Sequence, residues 1–322
     1  MSSSDPPPEA GGSVFHTEGW LRMLEKSQGY KIYRLESGGF LPLALVRSRV
    51  FGDRLISIPF SDYGGPIAAN TRGLKKLTDE ARKLTEELNV DFTEIRTLPS
   101  GSGVPGLAKR DDYCTFVMDL RKKGLFQGLE KRVRNGITKA QREGVTVKGG
   151  GKADVKDFYM LYVSTVMRLG SPPQALGFFE SMLEELGKNV QMRFAIWKGR
   201  PIAAAIFLTF GKHAYYSYSC SDKDRSALRG NDLLLWDAIE TFSSGGYERF
   251  HFGRTRPGSG VYFYKRGWGG KEIPMPYYYI FHRKVLKQRQ ELAYSKASDL
   301  WKKAMPTSLA VRLGPKLIRQ IG

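Results

Sequence analysis

Residues 247–270 read YERFHFGRTRPGSGVYFYKRGWGG, a stretch that joins a predicted strand to a predicted binding loop. Alternation from Glu248 to Phe252 predicts a strand that ends at Gly253. The loop that follows holds four cations, which are Arg254, Arg256, Lys265 and Arg266. Its glycines let the backbone pass close to a ligand, because glycine accepts backbone angles that other residues avoid. This basic, glycine-rich and aromatic loop predicts a binding site; the alternative is a hairpin tip with buried rings and solvated cations.

The net charge of the 322-residue chain is +19, which predicts polyanionic partners. RNA, phosphorylated substrates and an anionic membrane surface all fit this charge, and a merely soluble basic protein is the alternative. Residues 1–13 are rich in Ser, Pro and Gly, a composition that predicts disorder. The sequence holds no apolar run of roughly 18 residues, the length that would predict a membrane span.

Two cysteines, Cys114 and Cys220, stand far apart in apolar, strand-like segments. Their spacing fits neither a disulfide framework nor a zinc site. The first residues also lack the basic-then-apolar pattern of a secretory signal. These features predict a cytoplasmic protein, and the positive charge adds a peripheral location at the inner face of the membrane as an option.

The order of predicted elements repeats along the chain: a helix, three strands, a helix, a strand, a loop and a further strand. Residues 14–120 hold the first copy and residues 121–281 the second. This order predicts an α/β (α+β) protein of two domains with mixed sheets. Residues 282–322 form a basic tail with helical propensity, whose cations could contact RNA or lipid headgroups. The tail residues expected to dock on the body are Leu286, Leu292, Leu300 and Trp301.

Five stretches resemble, in the same order, the FemAB-like transferases of the branch found beside exosortase and exopolysaccharide systems. They are FHTEGWLRMLE, LPLALVRSRVFGDRLISIPFSDYGG, RVRNGITKAQREGV, DFYMLYVSTVMRLGSPP and GNDLLLWDAIETFSSGGYERFHFGRTRPGSGVYFYKRGWGG. Together they span about residues 15–280. The resemblance implies two tandem acyltransferase domains of the GNAT type, in agreement with the repeated order of elements.

Members of this family move an aminoacyl group from aminoacyl-tRNA to an amine in a peptidoglycan precursor, and others resemble acyl-CoA-dependent N-acyltransferases. The resemblance implies an N-acyl or aminoacyltransferase that acts on an anionic, diphosphate-linked envelope precursor. Aminoacyl-tRNA or acyl-CoA would be the donor, and no tightly bound cofactor is expected. Two alternatives stay open: an acyl-CoA-dependent N-acyltransferase of an envelope or exopolysaccharide sugar precursor, and a non-catalytic protein that binds RNA or a membrane surface.

Aminolysis of an ester or thioester requires that the donor carbonyl be polarised, that the amine lose a proton and that both substrates be held together. It requires neither a metal nor a covalent intermediate. The chain holds no GxSxG or HExxH motif and no Cys/His cluster, so no metal site is expected. Its four histidines are scattered and are interpreted as structural: His16, His213, His251 and His282.

Lys265 is the leading catalytic candidate, because FYKRGWGG matches the family's Phe-Lys-x-x-Trp-Gly element. The resemblance implies that its ammonium lies beside the reacting carbonyl, where it would stabilise an oxyanion; binding a substrate phosphate is the alternative. Tyr264 stands where relatives usually have phenylalanine, and together with Trp268 it supplies aromatic walls. Arg254 matches the family's Gly-Arg-Ser/Thr turn, and its guanidinium would either bind phosphate or carboxylate or lock the loop. His251 replaces the aspartate that relatives carry before this turn.

Further candidates lie outside this loop. Asn231 opens a helix after Gly230, where free N–H groups would attract an anion; RSALRGN only partly matches the GNAT pattern that cradles CoA, and an ordinary N-cap is the alternative. Asp62 could accept the amine proton or stabilise a turn, and Tyr63 beside it offers a phenol. Tyr218 is a candidate substrate contact. Arg134 would suit a phosphate, or would belong to a solvated basic helix.

Overall fold

The computed structural model describes residues 12–49, 51–98, 103–104, 106–283, 301 and 305–322. The first half holds α1 (Glu18–Gln28), β1 (Lys31–Leu35), β2 (Leu41–Val46), β3 (Arg54–Ile56), α2 (Thr71–Glu87), β4 (Phe92–Arg96) and β5 (Ala108–Arg110). β6 (Cys114–Asp119) is the last strand of the first half. The second half begins with α3 (Lys131–Arg142), β7 (Thr146–Gly150), α4 (Val155–Leu169), α5 (Leu176–Leu186), β8 (Val190–Trp197), β9 (Arg200–Phe210) and β10 (His213–Ser221). It continues with α6 (Gly230–Ser244), β11 (Arg249–His251), α7 (Gly260–Arg266), β12 (Lys271–Pro274), β13 (Tyr277–Phe281) and α8 (Thr307–Ile321).

The described strands form two mixed sheets, one for each half of the chain. The first has the order β1–β2–β3–β4–β13–β5, and the second has the order β12–β6–β11–β10–β9–β8–β7. In each sheet an antiparallel meander leads into one parallel pair, β3 with β4 and β10 with β11, and a helix connects the two parallel strands. The predicted mixed α/β fold is therefore confirmed.

The two sheets exchange strands. β13, from the second half, lies between β4 and β5 in the first sheet, and β6 lies between β11 and β12 in the second. The division at residue 120 stays a prediction as a domain boundary, but the sheets do not follow it, because β6 precedes that residue and pairs with strands that come more than a hundred residues later. Each half thus completes the sheet of the other.

A hydrophobic core joins the halves. Trp20 and Phe15 from the first half pack with Phe178, Phe179 and Tyr215 from the second in one continuous cluster. Helices α1 and α5 approach closely, since a Cβ on Gly19 would lie 2.7 Å from the carbonyl oxygen of Glu185. The two halves are therefore joined by a continuous, largely apolar core.

The structure can be compared with three predictions, which concern one loop and the two ends of the chain. Residues 260–266, predicted as loop, form α7, which begins where the Ser259 hydroxyl accepts the N–H of Tyr262. The disorder predicted for residues 1–13 does not extend to Ser13, which is buried and caps a turn of 3-10 helix; residues 1–11 lie outside the described residues. The helical tail is confirmed by α8.

The tail docks on the body. Trp301 is buried, and its Nε1 lies 3.0 Å from the sulfur of Met167 on α4. The three leucines predicted to dock with it lie outside the described residues: Leu286, Leu292 and Leu300. In the part of the chain that the structure describes, no helix is long and apolar enough to cross a membrane.

Candidate active site

The site begins where two parallel strands separate. β10 and β11 pair only from His213–Arg249 to Tyr215–His251, after which β10 continues with a bulge between Tyr216 and Tyr218. The chain leaving β11 turns away at Gly253, whose φ of 76° is in the left-handed region. A Cβ there would lie 3.0 Å from the Tyr216 carbonyl oxygen, so glycine is needed for the close approach. Glycine at this turn opens the edge of the sheet beside the first half.

Lys265 projects from α7 into this opening. Its side chain is 8% exposed, and its Nζ donates to the carbonyl oxygens of Gly253 (2.9 Å) and Arg254 (3.1 Å). An ammonium carries three N–H groups, and the described residues supply no third partner. One N–H of Lys265 therefore has no acceptor among the described residues. The predicted catalytic lysine is neither on an open flank nor paired directly with a carboxylate.

Burial lowers the pKa of the Lys265 ammonium to about 8, although the nearby Asp62 carboxylate opposes this shift. At neutral pH the side chain remains mostly protonated and can stabilise negative charge. A donor held in a poorly solvated site acts more strongly on a developing oxyanion than the same donor in water.

Arg254 connects the two halves. Its backbone N–H donates to Oδ1 of Asp62 at 2.8 Å, and Asp62 belongs to the loop between β3 and α2. Its guanidinium lies 4.7 Å from the ring centre of Tyr113 and 5.8 Å from that of Tyr277, and it also donates to the Tyr277 hydroxyl. Two separately predicted site residues, Asp62 and Arg254, are thus brought together. The contact is made by the Arg254 backbone, and the guanidinium is directed toward aromatic rings.

The loop that carries Asp62 is strained and anchored. Ile58 and Phe60 adopt φ angles of 63° and 58°, a region that branched and bulky residues rarely occupy. The His16 Nε2 donates to the Gly65 carbonyl oxygen at 2.9 Å, while its Nδ1 lies 2.8 Å from the Ser13 hydroxyl. Burial lowers the pKa of His16 to about 4, so the ring is neutral. His16 is structural, as interpreted from the sequence, and it fixes the loop that presents Asp62.

A second concave region lies at the start of α6. A cavity of about 140 Å³ is lined by Arg225, Asn231, Tyr264 and other residues of the segment before the helix. Arg229 precedes the helix in a left-handed conformation, and its guanidinium pairs with Oδ2 of Asp232 at 2.6 Å. No side chain caps α6. The N–H groups of Asp232 and Leu233 bond to the Arg229 carbonyl oxygen, and Gly230 and Asn231 line the cavity. Asn231 and Tyr264 therefore share a cavity, separate from the contacts made by Lys265.

Four other predicted site residues make packing contacts. Trp268 is fully buried against Phe252, and Tyr63 is buried with its hydroxyl 3.5 Å from that of Tyr215. Tyr218 packs on the rings of Tyr162, Phe178 and Phe179. Arg134 donates to the carbonyl oxygens of Gln127 and Leu129. Their substrate-binding roles stay predictions, and the observed contacts of Arg134 favour locking the preceding loop over binding a phosphate.

The other histidines also make internal contacts. His251 stacks on Tyr215 with ring centres 4.6 Å apart, and its Nε2 lies 3.2 Å from Nδ1 of His213. Burial, with His213 beside it, lowers the pKa of His251 to about 3. His282 is exposed, with its Nε2 3.3 Å from the side-chain oxygen of Asn89. Within the described ranges no three His, Cys, Asp or Glu side chains converge as a metal site would require.

Sequence reasoning missed the two tyrosines that flank Arg254. Tyr113 precedes β6 and Tyr277 opens β13, so both come from the segments next to the exchanged strands. The sequence does place a tyrosine at or just before the start of each exchanged strand. Only the pairing of those strands, however, shows that the two tyrosines lie close together in the fold. Arg229 was also missed, since its left-handed backbone cannot be inferred from RSALRGN.

Comparisons with known proteins agree with this architecture. Residues 128–266 match the family described as Acetyltransferase (GNAT) domain. No curated protein sequence matches the chain. The crystal structure of FemX is similar over 90% of this chain and 96% of its own, with a TM-score of 0.64 and 14% identity. The structure of L-PGS from Bacillus licheniformis is similar over 91% of this chain and 98% of its own, with a TM-score of 0.62 and 12% identity.

A third similar structure is the DUF2156 domain assigned to the C-terminal end of a lysylphosphatidylglycerol synthetase from Agrobacterium fabrum. It covers 85% of this chain and 90% of its own, with a TM-score of 0.61 and 13% identity. At these identities the likenesses show a shared fold. The second half of the chain therefore contains a GNAT-type domain, and the whole chain has the architecture of FemX.

Proposed function

We propose that this protein is an N-acyltransferase that transfers an aminoacyl group to an amine of an anionic cell-envelope precursor. The observation that carries the proposal is the buried Lys265 ammonium, with one N–H unused, at the opening between β10 and β11. Aminolysis builds negative charge on the donor carbonyl oxygen, and a preorganised cation with a free N–H stabilises that charge. The GNAT-type fold and the likeness to FemX support this class of reaction.

In the proposed reaction, Lys265 and Asp62 would have different roles. The ammonium of Lys265 would polarise the donor carbonyl and stabilise the oxyanion as the amine attacks. Asp62, held across the crevice by the Arg254 N–H, has a second carboxylate oxygen with which it could accept the amine proton. The collapse of the tetrahedral intermediate would then form the amide bond and release the hydroxyl of the tRNA ribose or the thiol of CoA.

Acyl-CoA is the alternative donor, and the cavity at the start of α6 favours it. The first residues of α6, which no side chain caps, line this cavity together with Arg225 and Arg229, and these groups could donate hydrogen bonds to a diphosphate. Each arginine is paired with an aspartate that also lines the cavity, so a diphosphate would have to compete with these ion pairs. The acceptor in that case would be an envelope or exopolysaccharide sugar precursor. The names FemX and lysylphosphatidylglycerol synthetase instead favour the aminoacyl donor, since the second describes an enzyme that attaches an amino acid to a lipid.

The deciding experiment compares donors directly. The purified chain would be incubated with labelled aminoacyl-tRNA or labelled acyl-CoA and with nucleotide-linked or lipid-linked peptidoglycan precursors, and transfer of label would be followed. We expect transfer from aminoacyl-tRNA, lowered about 10²–10³-fold by Lys265→Ala and unaffected by Lys271→Ala, which alters an exposed lysine on β12. Transfer from acyl-CoA alone would establish the alternative. Loss of label from neither donor, across all acceptors, would leave a non-catalytic binding protein.

A further inference from the structure

The outer face of α8 carries an apolar stripe that nothing in the described structure covers. Leu309, Leu313 and Leu317 are 46%, 41% and 41% exposed, and their i, i+4, i+8 spacing places them on one side of the helix. Scattered exposed leucines are ordinary on protein surfaces, but three in line on one helix form a continuous surface. This stripe is the feature that requires an explanation.

The face of α8 that adjoins the leucine stripe is fixed to the body. Ala310 and Gly314 are buried, and a Cβ on Gly314 would lie 2.5 Å from Cδ of Pro173 in the second half. On the first half, the Tyr30 hydroxyl donates to the Arg319 carbonyl oxygen at 2.6 Å, and Arg54 donates to that of Gln320 at 2.9 Å. The helix is thus clamped to both halves, and its leucines point outward from a fixed element.

Cations flank the leucine stripe. Arg312, Lys316 and Arg319 are exposed on the neighbouring side of α8, and residues 307–322 include no Asp or Glu. A helix with one apolar face, one buried face and a cationic flank matches an element that lies in the headgroup region of a bilayer. The net charge of +19 adds long-range attraction to an anionic surface.

We propose that α8 docks this protein on an anionic lipid bilayer, with Leu309, Leu313 and Leu317 inserted among the acyl chains and the three cations against lipid phosphates. RNA fits the surface less well, because it would leave the leucines in water and the helix has no aromatic side chain on which bases could stack. The surface is distinct from the crevice at Lys265. If the proposed transferase function holds, docking would bring that crevice to lipid-linked acceptors, a consequence that rests on that function.

Vesicle sedimentation tests the proposal without any turnover. The full chain would be mixed with vesicles of phosphatidylcholine alone or with added phosphatidylglycerol. We expect partitioning at least about tenfold stronger into the anionic vesicles. The triple variant Leu309→Gln, Leu313→Gln, Leu317→Gln should lower this partitioning at least about tenfold. The charge reversal Arg312→Glu, Lys316→Glu should lower it similarly, while the matched reversal Arg82→Glu, Lys83→Glu on exposed positions of α2 should retain it.

Several outcomes would overturn the docking surface. Wild-type protein that stays in solution with anionic vesicles would do so, as would a triple leucine variant that sediments like wild type. Binding to tRNA that is lost on charge reversal but kept by the leucine variant, without vesicle binding, would mark α8 as an RNA surface. A thermal melt checks that each variant is folded, and single Leu313→Gln serves if the triple variant is not. Failure of acyl transfer with vesicle binding intact would overturn only the proposed function.

Discussion

The two halves of the molecule share one arrangement of strands around a connecting helix, but they differ at the start of that helix. In each half a parallel pair of strands flanks a connecting helix, β3 with β4 around α2 and β10 with β11 around α6. The starts of the two helices differ. The Asn70 side chain caps α2 by accepting the N–H of Gly73 at 2.9 Å, and Gly73 packs against Gly38 so tightly that a Cβ would lie 2.2 Å from its carbonyl oxygen. That helix start is closed to ligands.

The start of α6 has no side-chain cap and opens into a cavity instead. The loops before the two helices differ as well. In the first half the loop before α2 crosses to the other half, where Asp62 accepts the N–H of Arg254. In the second half the corresponding segment folds back on its own helix through the pair of Arg229 with Asp232. The repeated halves therefore share the order of strands around the connecting helix and differ in the cap of that helix and in the loop before it.

The largest expected effect is the loss of activity on replacing Lys265, the second-half residue proposed to stabilise the oxyanion. Lys265→Ala should lower kcat/KM by about 10²–10³-fold, the usual loss when one oxyanion donor is removed. Lys265→Arg should retain more activity because it keeps a cation in place. Steady-state kinetics with the donor identified above would measure both, and Lys271→Ala is the control. Unchanged kinetics for Lys265→Ala would remove the lysine from the mechanism.

The dependence of activity on pH distinguishes two roles for Lys265: a protonated ammonium that stabilises the oxyanion, and a neutral amine that acts as general base. Its pKa of about 8 means that the charged form is lost as pH rises through that value. Activity that needs the ammonium should therefore fall about tenfold for each pH unit above 8. In Lys265→Arg that decline should disappear, since arginine stays charged. Activity that instead rises through pH 8 would identify the neutral amine as a general base.

Acid stability tests the anchoring of the first-half loop. The pKa of His16 is about 4 in the folded protein, below its ordinary 6.5, so the unfolded chain binds more protons between these values. This contribution is fully present above pH 6.5 and is lost as pH falls toward 4, to a total of about 3 kcal/mol. Denaturant unfolding of His16→Gln between pH 7 and 4 should show a shallower decline than wild type. The exposed His282→Gln should match wild type.

Paired substitutions at Asp62 ask what the first half contributes to the site. Asp62→Asn keeps an oxygen to accept the Arg254 N–H but cannot take a proton, whereas Asp62→Ala loses both functions. If Asp62 only positions Arg254, the asparagine variant should retain nearly full kcat, and the alanine variant should lose up to about 10²-fold, the cost of misplacing a group by about 1 Å. Equal losses in both variants would favour a general base.

The smallest effect concerns the closed helix start. Asn70→Ala should lower the free energy of unfolding by about 1 kcal/mol, because one N–H of α2 loses its cap. Chemical denaturation would measure the change, and acyl transfer should be unaffected. A loss of activity without a loss of stability would show that the first-half helix start also serves a substrate.

Local patterns predicted much of this fold, and distant pairings could not be predicted. The strong periodicity of residues 155–169 predicts a helix and that of residues 190–197 predicts a strand, with the bounds that α4 and β8 have. β7, with its sequence TVKGG, was missed because a short polar edge strand does not alternate. Helix α7 was predicted as loop, since seven residues after a glycine-rich turn show too little helical period.

In the candidate site, too, some residues could be identified from the sequence and others depend on distant strand pairing. Lys265, Arg254 and Asp62 were identified by residue type and by family resemblance, and the structure brings them together. Tyr277 could not be identified, because its place beside Arg254 depends on an exchanged strand. Trp268 was predicted as a wall and is buried, since aromatic content alone does not say which face of an element a ring occupies.

The reciprocal placement of β6 and β13 limits how this enzyme fold can move and be divided. Neither half is a detachable module, because cutting the chain between them would remove an interior strand from each sheet. Separating the two halves would have to break strand ladders in both sheets, so we expect local movement to be confined to side chains and loops. The protein should accordingly melt as one cooperative unit, and fragments expressed separately should regain order only when they are mixed.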